Sequence, residues 1–243
     1  SVRTFGEDGP DLNRLFPGDA SATPAARYVH WLWQQLSAVE PDLAIDLHAD
    51  SFDAIPYVIV DRPVGHRGAE RRGMEDALDG LAAASGLTVL HDYADTDYLR
   101  FNLDRSLAGA MVNVASTPAV TVECGPRGAL STQAEQRMVT AVMRMLAWAG
   151  SGVEVADEPS DAVAGSWRRT SGPRVRQSGL LRPRIASGAS FRKGEHLADV
   201  VDLAGRTLDT VVAMQPGLLV AWANRAWIRS GQAVATIAMR ETR

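Results

Sequence analysis

Hydrophobic and polar positions alternate along the first 150 residues with the periods of two kinds of element. Apolar side chains recur every three or four positions in four segments, which predicts helices. Thr23 is placed to cap the first of them, with Pro24 in its first turn, and Thr132 and Glu135 have the spacing of a capping box ahead of the last. The four segments cover residues 23 to 38, 66 to 84, 106 to 116 and 132 to 148.

Short apolar runs between these segments have the length and composition of strands. They cover residues 43 to 48, 54 to 60, 87 to 90 and 118 to 124. Because strands alternate with helices along the chain, the pattern predicts an α/β fold, in which a central sheet is covered by helices on both faces.

The pattern changes after Gly150. Residues 151 to 173 are rich in Ser, Gly, Pro and acidic side chains, which is typical of a linker or an edge segment. Short β-type runs follow, and residues 190 to 201 resemble residues 227 to 238. We therefore expect an α/β domain over residues 1 to 158, then a linker and a small all-β domain over residues 159 to 243.

Composition and charge exclude several classes of partner. The chain of 243 residues is 46% hydrophobic and 22% charged, as globular proteins are. A net charge of −4 argues against a nucleic-acid partner, since phosphate contacts need a basic face. The sequence has no apolar run of the roughly 18 residues that a membrane span needs, no export signal and one cysteine, Cys124. We expect a soluble, cytoplasmic protein; a homo-oligomer stays open.

Polar side chains cluster where the predicted strands end. "IDLHAD" places His48 after one apolar run, "VTVECG" places Glu123 at the end of another, and "DLNRLFPGD" sets Asn13 and Arg14 among apolar neighbours. In open α/β sheets, ligands bind beyond the carboxyl ends of the strands. The pattern therefore predicts one shared site, with Arg14 facing an anion in a pocket.

The same segments resemble the succinylglutamate desuccinylase and aspartoacylase family. The resemblance lies in "RTFGEDGPDLNRLFPGD", "IDLHAD", "AVTVECG" and "GLLRPRIASGASFRKGEHLADVVD", four matches in the family's order that span essentially the whole chain. It implies the zinc carboxypeptidase-like fold, a mixed central sheet flanked by helices, followed by a small all-β domain.

The resemblance also implies a role for each site residue. His48 would be a zinc ligand, and Glu123 the general base that activates water. Arg14, with Asn13, would clamp the substrate carboxylate, and Arg3 would polarise the scissile carbonyl. The family's other two zinc ligands, a His and a Glu three residues later, precede the arginine that Arg3 matches, and H-x-x-E occurs nowhere in the 243 residues. We expect one zinc ion per chain, with two ligands upstream of residue 1.

Each residue also has a structural interpretation. The alternative for His48 is a buried histidine that is hydrogen-bonded at a strand end, and the alternative for Glu123 is a structural ion pair. The alternative for Arg14 is a buried salt bridge with Asp11 or Asp46.

Three further residues have ordinary explanations. Cys124 follows Glu123 in a strand, so we expect it in the core on the opposite face. His66 and Glu70 have helical spacing for a compensating metal site, but they open an arginine-rich segment that is typical of a surface helix.

These observations predict a zinc-dependent amidohydrolase that cleaves the linear amide of a small N-acyl amino acid, releasing a carboxylate and a free amino acid. The all-β domain would crowd the cleft and exclude long peptides. Two alternatives stay open: a metallocarboxypeptidase acting on short peptides, and a non-catalytic binding protein that has lost the metal. The sequence determines neither the acyl group nor the amino acid.

Overall fold

The architecture is a large mixed sheet with helices, joined by a smaller antiparallel sheet, as the sequence predicted. It is seen in a computed structural model that describes residues 4–6, 8–51, 53–129, 131–155, 160, 162–223 and 226–241. The α-helices are α1 (Pro24–Ser37), α2 (Gly68–Ala84), α3 (Asp95–Arg100), α4 (Leu107–Ala110) and α5 (Thr132–Trp148), with a π-helical turn at Met111–Ala115 and 3-10 turns at Leu12–Arg14 and Leu103–Arg105. None of the described helices is long and apolar enough to cross a bilayer.

Twelve strands occur in the described part of the chain. They are β1 (Ala44–His48), β2 (Tyr57–Val60), β3 (Thr88–His91), β4 (Ala119–Glu123), β5 (Trp167–Thr170), β6 (Gly179–Pro183), β7 (Ser190–Phe191), β8 (His196–Val201), β9 (Thr207–Val212), β10 (Gly217–Trp222), β11 (Trp227–Ile228) and β12 (Ala235–Arg240). The large sheet has the order β1-β4-β2-β3-β5-β12-β10-β7, and the small sheet the order β11-β6-β8-β9.

Local signals set the helix ends. The Thr23 side chain accepts a hydrogen bond from the backbone of Ala26, and Pro24 opens α1, as predicted. The predicted cap of α5 is wrong by one residue: Ser131, not Thr132, accepts the hydrogen bond from Ala134. Ser ranks above Thr as an N-cap, so the observed cap agrees with the intrinsic preference of the two residues.

The two similar segments of the all-β region have related roles in different sheets. In the first, short β7 belongs to the large sheet and long β8 to the small one; in the second, short β11 belongs to the small sheet and long β12 to the large one. Strand β5, inside the predicted linker, lies between β3 and β12. The region after residue 158 therefore contributes to both sheets; the domain division at that residue stays a prediction.

Alternating side chains divide the centre of the large sheet into two faces. Val58, Val60, Val120 and Val122 belong to an apolar core with side chains of α2 and α5. Side chains between them in the same strands point to the opposite face, because the period of a strand is two. That second face carries the polar residues of the candidate site.

Candidate active site

Four sequence-predicted residues border one cavity. Asn13, Arg14, His48 and Glu123 all line a cavity of about 120 Å³, called here the inner cavity. Asn13, His48 and Glu123 also border an adjoining cavity of about 640 Å³, called the outer cavity, which reaches Leu32 of α1. The structure therefore brings together the three segments that the sequence placed in one site. Arg3 lies outside the described residues.

His48 and Glu123 are neighbours across the sheet. Strands β1 and β4 are parallel, and in their register His48 is the partner of Glu123. The imidazole Nε2 lies 2.9 Å from Oδ2 of Asp46, two residues earlier on the same face of β1. About a third of the His48 side chain (34%) is exposed, so the ring borders the cavity and is not a core histidine.

Asn13 and Arg14 lie in the 3-10 turn Leu12–Arg14. The side chain of Asp11 caps this turn by accepting a hydrogen bond from the backbone of Asn13. Oδ1 of Asn13 accepts a hydrogen bond from the backbone N–H of Leu107 at 2.6 Å, which ties the turn to the start of α4. Nη1 of Arg14 donates to the carbonyl of Asn13. Asn13 thus has a structural contact, and its role toward a substrate stays a prediction.

A tyrosine completes the wall beside Glu123. Tyr57 is the partner of Glu123 in the antiparallel pair β2 and β4, and only 1% of it is exposed. Its hydroxyl donates to Oδ2 of Asp50 at 2.9 Å, which holds the segment that follows His48. Burial, reinforced by the carboxylates of Glu123 and Asp50, raises the pKa of Tyr57 well above its ordinary value. Tyr57 therefore stays a neutral hydrogen-bond donor.

The far wall of the inner cavity is a buried charged cluster that the sequence alone did not identify. It contains Asp61, Asp92 and Arg169. Nη1 of Arg169 donates to Oδ1 of Asp92 at 3.2 Å, and the guanidinium carbon lies 5.1 Å from the ring centroid of Tyr93. Burial opposes the charge of Arg169, but Asp92, together with Tyr57, Tyr93 and Glu123, outweighs burial and raises the arginine pKa above its ordinary value.

A sequence signal for part of this cluster existed. Asp61 and Asp92 each follow a strand directly, as β2 ends at Val60 and β3 at His91. This is the same signal that identified His48. Arg169 had no such signal, because β5 reaches the site only through its pairing with β3.

Cys124 and His66 lie away from the cavity. Cys124 is buried in the apolar core, as predicted, and its thiol lies 3.3 Å from the carbonyl of Ala134. His66 is also buried, and its Nε2 lies 2.7 Å from the carbonyl of Val112. Since this ring nitrogen is engaged with the backbone, the arrangement gives no support to a metal site at His66 and Glu70.

The zinc ion that the resemblance implies has only part of a ligand set here. Among the residues that the structure describes, no group of three or more His, Cys, Asp or Glu side chains is arranged to hold a metal ion. His48 supplies one imidazole at the edge of the cavity, whereas zinc sites use three or four protein ligands. The described residues alone therefore do not form a zinc site.

Comparison with known proteins gives structural matches only. No protein-family model matches the chain, and no curated protein matches its sequence at a significant level. A succinylglutamate desuccinylase from Silicibacter sp. is similar in structure, with a TM-score of 0.76 and 20% identity over 98% of this chain and 70% of that one. The ectoine utilization protein EutE from Ruegeria pomeroyi, in a product-bound structure, has a TM-score of 0.76 and 21% identity over 97% of this chain and 69% of its own.

A third similar structure is an aspartoacylase family protein from Mesorhizobium loti, with a TM-score of 0.71 and 19% identity over 97% of this chain and 68% of that chain. At these identities the likeness concerns the fold. The chain has the fold of succinylglutamate desuccinylase and aspartoacylase family proteins, as its sequence motifs predicted.

Proposed function

We propose that this chain belongs to a hydrolase that cleaves the amide bond of a small N-acyl amino acid. The observation that carries the proposal is the convergence of Arg14, His48 and Glu123 on one cavity, in a fold shared with a desuccinylase and an aspartoacylase family protein. The products would be a carboxylate and a free amino acid. The inner cavity, at about 120 Å³, is small, which favours a small substrate over a long peptide.

Glu123 is the proposed general base. It removes a proton from water as the water oxygen bonds to the amide carbon, and the proton passes to the nitrogen as the C–N bond breaks. Arg14 is the proposed clamp for the substrate carboxylate, since a guanidinium offers two parallel donors. Arg3 remains our proposal for the group that polarises the carbonyl.

Zinc is part of the proposal, with His48 as one ligand. Because the described residues supply one imidazole and no group of three ligands, a complete site needs two ligands from elsewhere. No step proposed above passes through the metal ion.

The test compares an N-acyl amino acid with the same compound carrying a neutral amide in place of its carboxylate. The acid should be the better substrate, because the amide leaves the guanidinium of Arg14 facing a neutral group, at a cost of about 2 to 5 kcal/mol. Arg14→Ala should reduce the acid-to-amide ratio of kcat/KM, and Arg14→Lys should restore little of it.

Arg72→Ala, on the exposed side of α2, is the matched control. An unchanged acid-to-amide ratio in Arg14→Ala would show that Arg14 does not contact the substrate. Short peptides in the same assay address the carboxypeptidase alternative: faster cleavage of peptides than of N-acyl amino acids would favour it.

A further inference from the structure

Two buried carboxyl groups lie side by side in the wall of the inner cavity. Strands β2 and β3 are parallel, and Val60 is the partner of His91. The next residues, Asp61 and Asp92, are therefore at the same level on adjacent strands; they are 4% and 2% exposed. Both line the inner cavity together with Glu123.

These two carboxyl groups have different hydrogen-bond donors. Arg169 donates to Asp92, as described above, and the hydroxyl of Tyr98 donates to Oδ1 of Asp61 at 2.7 Å. Within the described ranges, Tyr98 is the only hydrogen-bond partner of the Asp61 carboxyl group. Two ionised carboxyl groups and one cation would leave a net negative charge in a buried place, which is costly. A proton on Asp61 removes that charge.

The surroundings of Asp61 favour the proton. Burial and the charge of Asp92 raise the pKa of Asp61 to about 8, and Asp46 of β1 acts in the same direction. The Tyr98 hydrogen bond and the charge of Arg169 oppose them. Asp61 also borders a second cavity, whose charged and titratable groups are Arg62, Glu75, Asp79, His91, Arg168 and Glu241.

We propose that Asp61 is a specificity-determining residue, which enters the inner cavity as a neutral acid and donates its O–H to an acceptor oxygen of the substrate. Since Tyr98 occupies Oδ1, Oδ2 is the oxygen that offers the donor. Arg14 and Arg169 already place two cations in this cavity. Because the neutral acid adds a hydrogen-bond donor without adding charge, it selects for a substrate oxygen at this position and not simply for a negative charge. Above its pKa, Asp61 becomes an acceptor with a negative charge, and it repels the oxygen that it had bound. The inference rests on the proposed function for the identity of the substrate.

The protonation state is tested without any activity. In protein labelled with ¹³C at the aspartate carboxyl groups, the Asp61 signal, assigned by its loss in Asp61→Asn, should titrate near pH 8. Asp92→Asn should lower this midpoint, because it removes the neighbouring negative charge. Tyr98→Phe should raise it, because the phenol hydrogen bond favours the ionised form. A carboxyl group already ionised at about pH 6 would overturn the proposal.

The donor role is tested by the pH dependence of kcat/KM for an N-acyl amino acid that the wild type hydrolyses. Wild-type kcat/KM should fall by about tenfold per pH unit above the Asp61 midpoint, as expected for a single essential proton. In Asp61→Asn this fall should be absent, and in Tyr98→Phe it should begin at higher pH. An identical alkaline fall in wild type and Asp61→Asn would refute the donor role.

The carboxyl titration and the pH dependence of kcat/KM together separate the inference from the proposed function. If the wild type hydrolyses none of the N-acyl amino acids, the proposed function fails, and the carboxyl titration still confirms or overturns the neutral acid. Asp92→Asn and Tyr98→Phe shift the midpoint in opposite directions, so the inference stays open to refutation if Asp61→Asn does not fold.

Discussion

His91 links the two halves of the chain through both nitrogens of its ring. Nε2 lies 2.8 Å from Oδ1 of Asp79 in α2, and Nδ1 contacts Oε2 of Glu241, directly after β12. Neutral imidazole has one N–H and an imidazolium has two, so only the charged ring donates to both carboxylates. Burial disfavours this charge, but the hydrogen bonds to Asp79 and Glu241 outweigh it and raise the pKa of His91 above its ordinary value of 6.5.

The sign of the pH dependence follows from this shift. Because the pKa is higher in the folded state, the stabilisation by His91 is complete below about pH 6.5 and is lost as pH rises through the folded-state pKa. A hydrogen bond to a charged group contributes about 1.5 to 3 kcal/mol. The Glu241 carboxylate is 20% exposed, so we assign its hydrogen bond the full range of about 1.5 to 3 kcal/mol. The Asp79 carboxylate is 42% exposed, so solvent reduces the contribution of its hydrogen bond to about 1 kcal/mol or less.

We therefore expect His91→Gln to lower the free energy of unfolding by about 2 to 4 kcal/mol at about pH 6, and by about half as much at about pH 9. An amide reaches at most one of the two carboxylates, and it does not titrate. The assay is urea denaturation of wild type and variant at both pH values. His196→Gln is the control, because His196 contacts the single carboxylate of Asp199, which also binds Arg182 and Arg184. An equal loss at both pH values in His91→Gln would refute the charged bridge.

Three further predictions concern the core and the site. Leu78→Ala should cost about 2 to 5 kcal/mol in urea denaturation, because Leu78 is 0% exposed in the main core; a loss below about 1 kcal/mol would contradict that packing. Glu123→Gln should lower kcat by about a hundredfold or more against Glu135→Gln, an exposed control in α5, and normal turnover would make Glu123 structural. In a preparation of the protein that binds zinc, His48→Ala should lower the bound metal severely by elemental analysis, and stoichiometric tight zinc in that variant would remove His48 from the ligand set.

Local chemistry explains which elements were predictable from sequence. Helix α1 follows its Thr-Pro start, and β4 is a short run of Ala, Val and Thr that ends at Glu123. Each signal lies within a few residues of the element that it sets. The end of α4 shows the limit of such signals: one helix was predicted over residues 106 to 116, whereas the chain forms α4 and then a π-helical turn at Met111–Ala115. The Asn113 amide there donates to the carbonyls of Arg62 and Gly109, so a contact distant in sequence accompanies the change.

The residues of the candidate site also fall into two groups, those with a local sequence signal and those whose position depends on contacts distant in sequence. His48 and Glu123 could be proposed from the sequence because each is a polar residue at the end of an apolar strand, and ligands bind beyond the carboxyl ends of strands in open α/β sheets. Asp61 and Asp92 carry the same signal, but their importance depends on being adjacent to each other, and only the pairing of β2 with β3 shows this. A single sequence specifies the face of each strand more readily than it specifies which strands pair.

Arg169 is the site residue that has no local sequence signal. It lies in the region after residue 158, so that region contributes a side chain to the site. Its strand, β5, pairs in parallel with β3 and antiparallel with β12, and these pairings alone bring the guanidinium to Asp92. The partners are 77 residues apart in the chain. Without this cation the cluster would hold two buried carboxyl groups and no compensating charge. The cation in β5 therefore supplies the charge that compensates Asp92, so the later half of the chain contributes to the charge of a wall whose carboxyl groups belong to the earlier half.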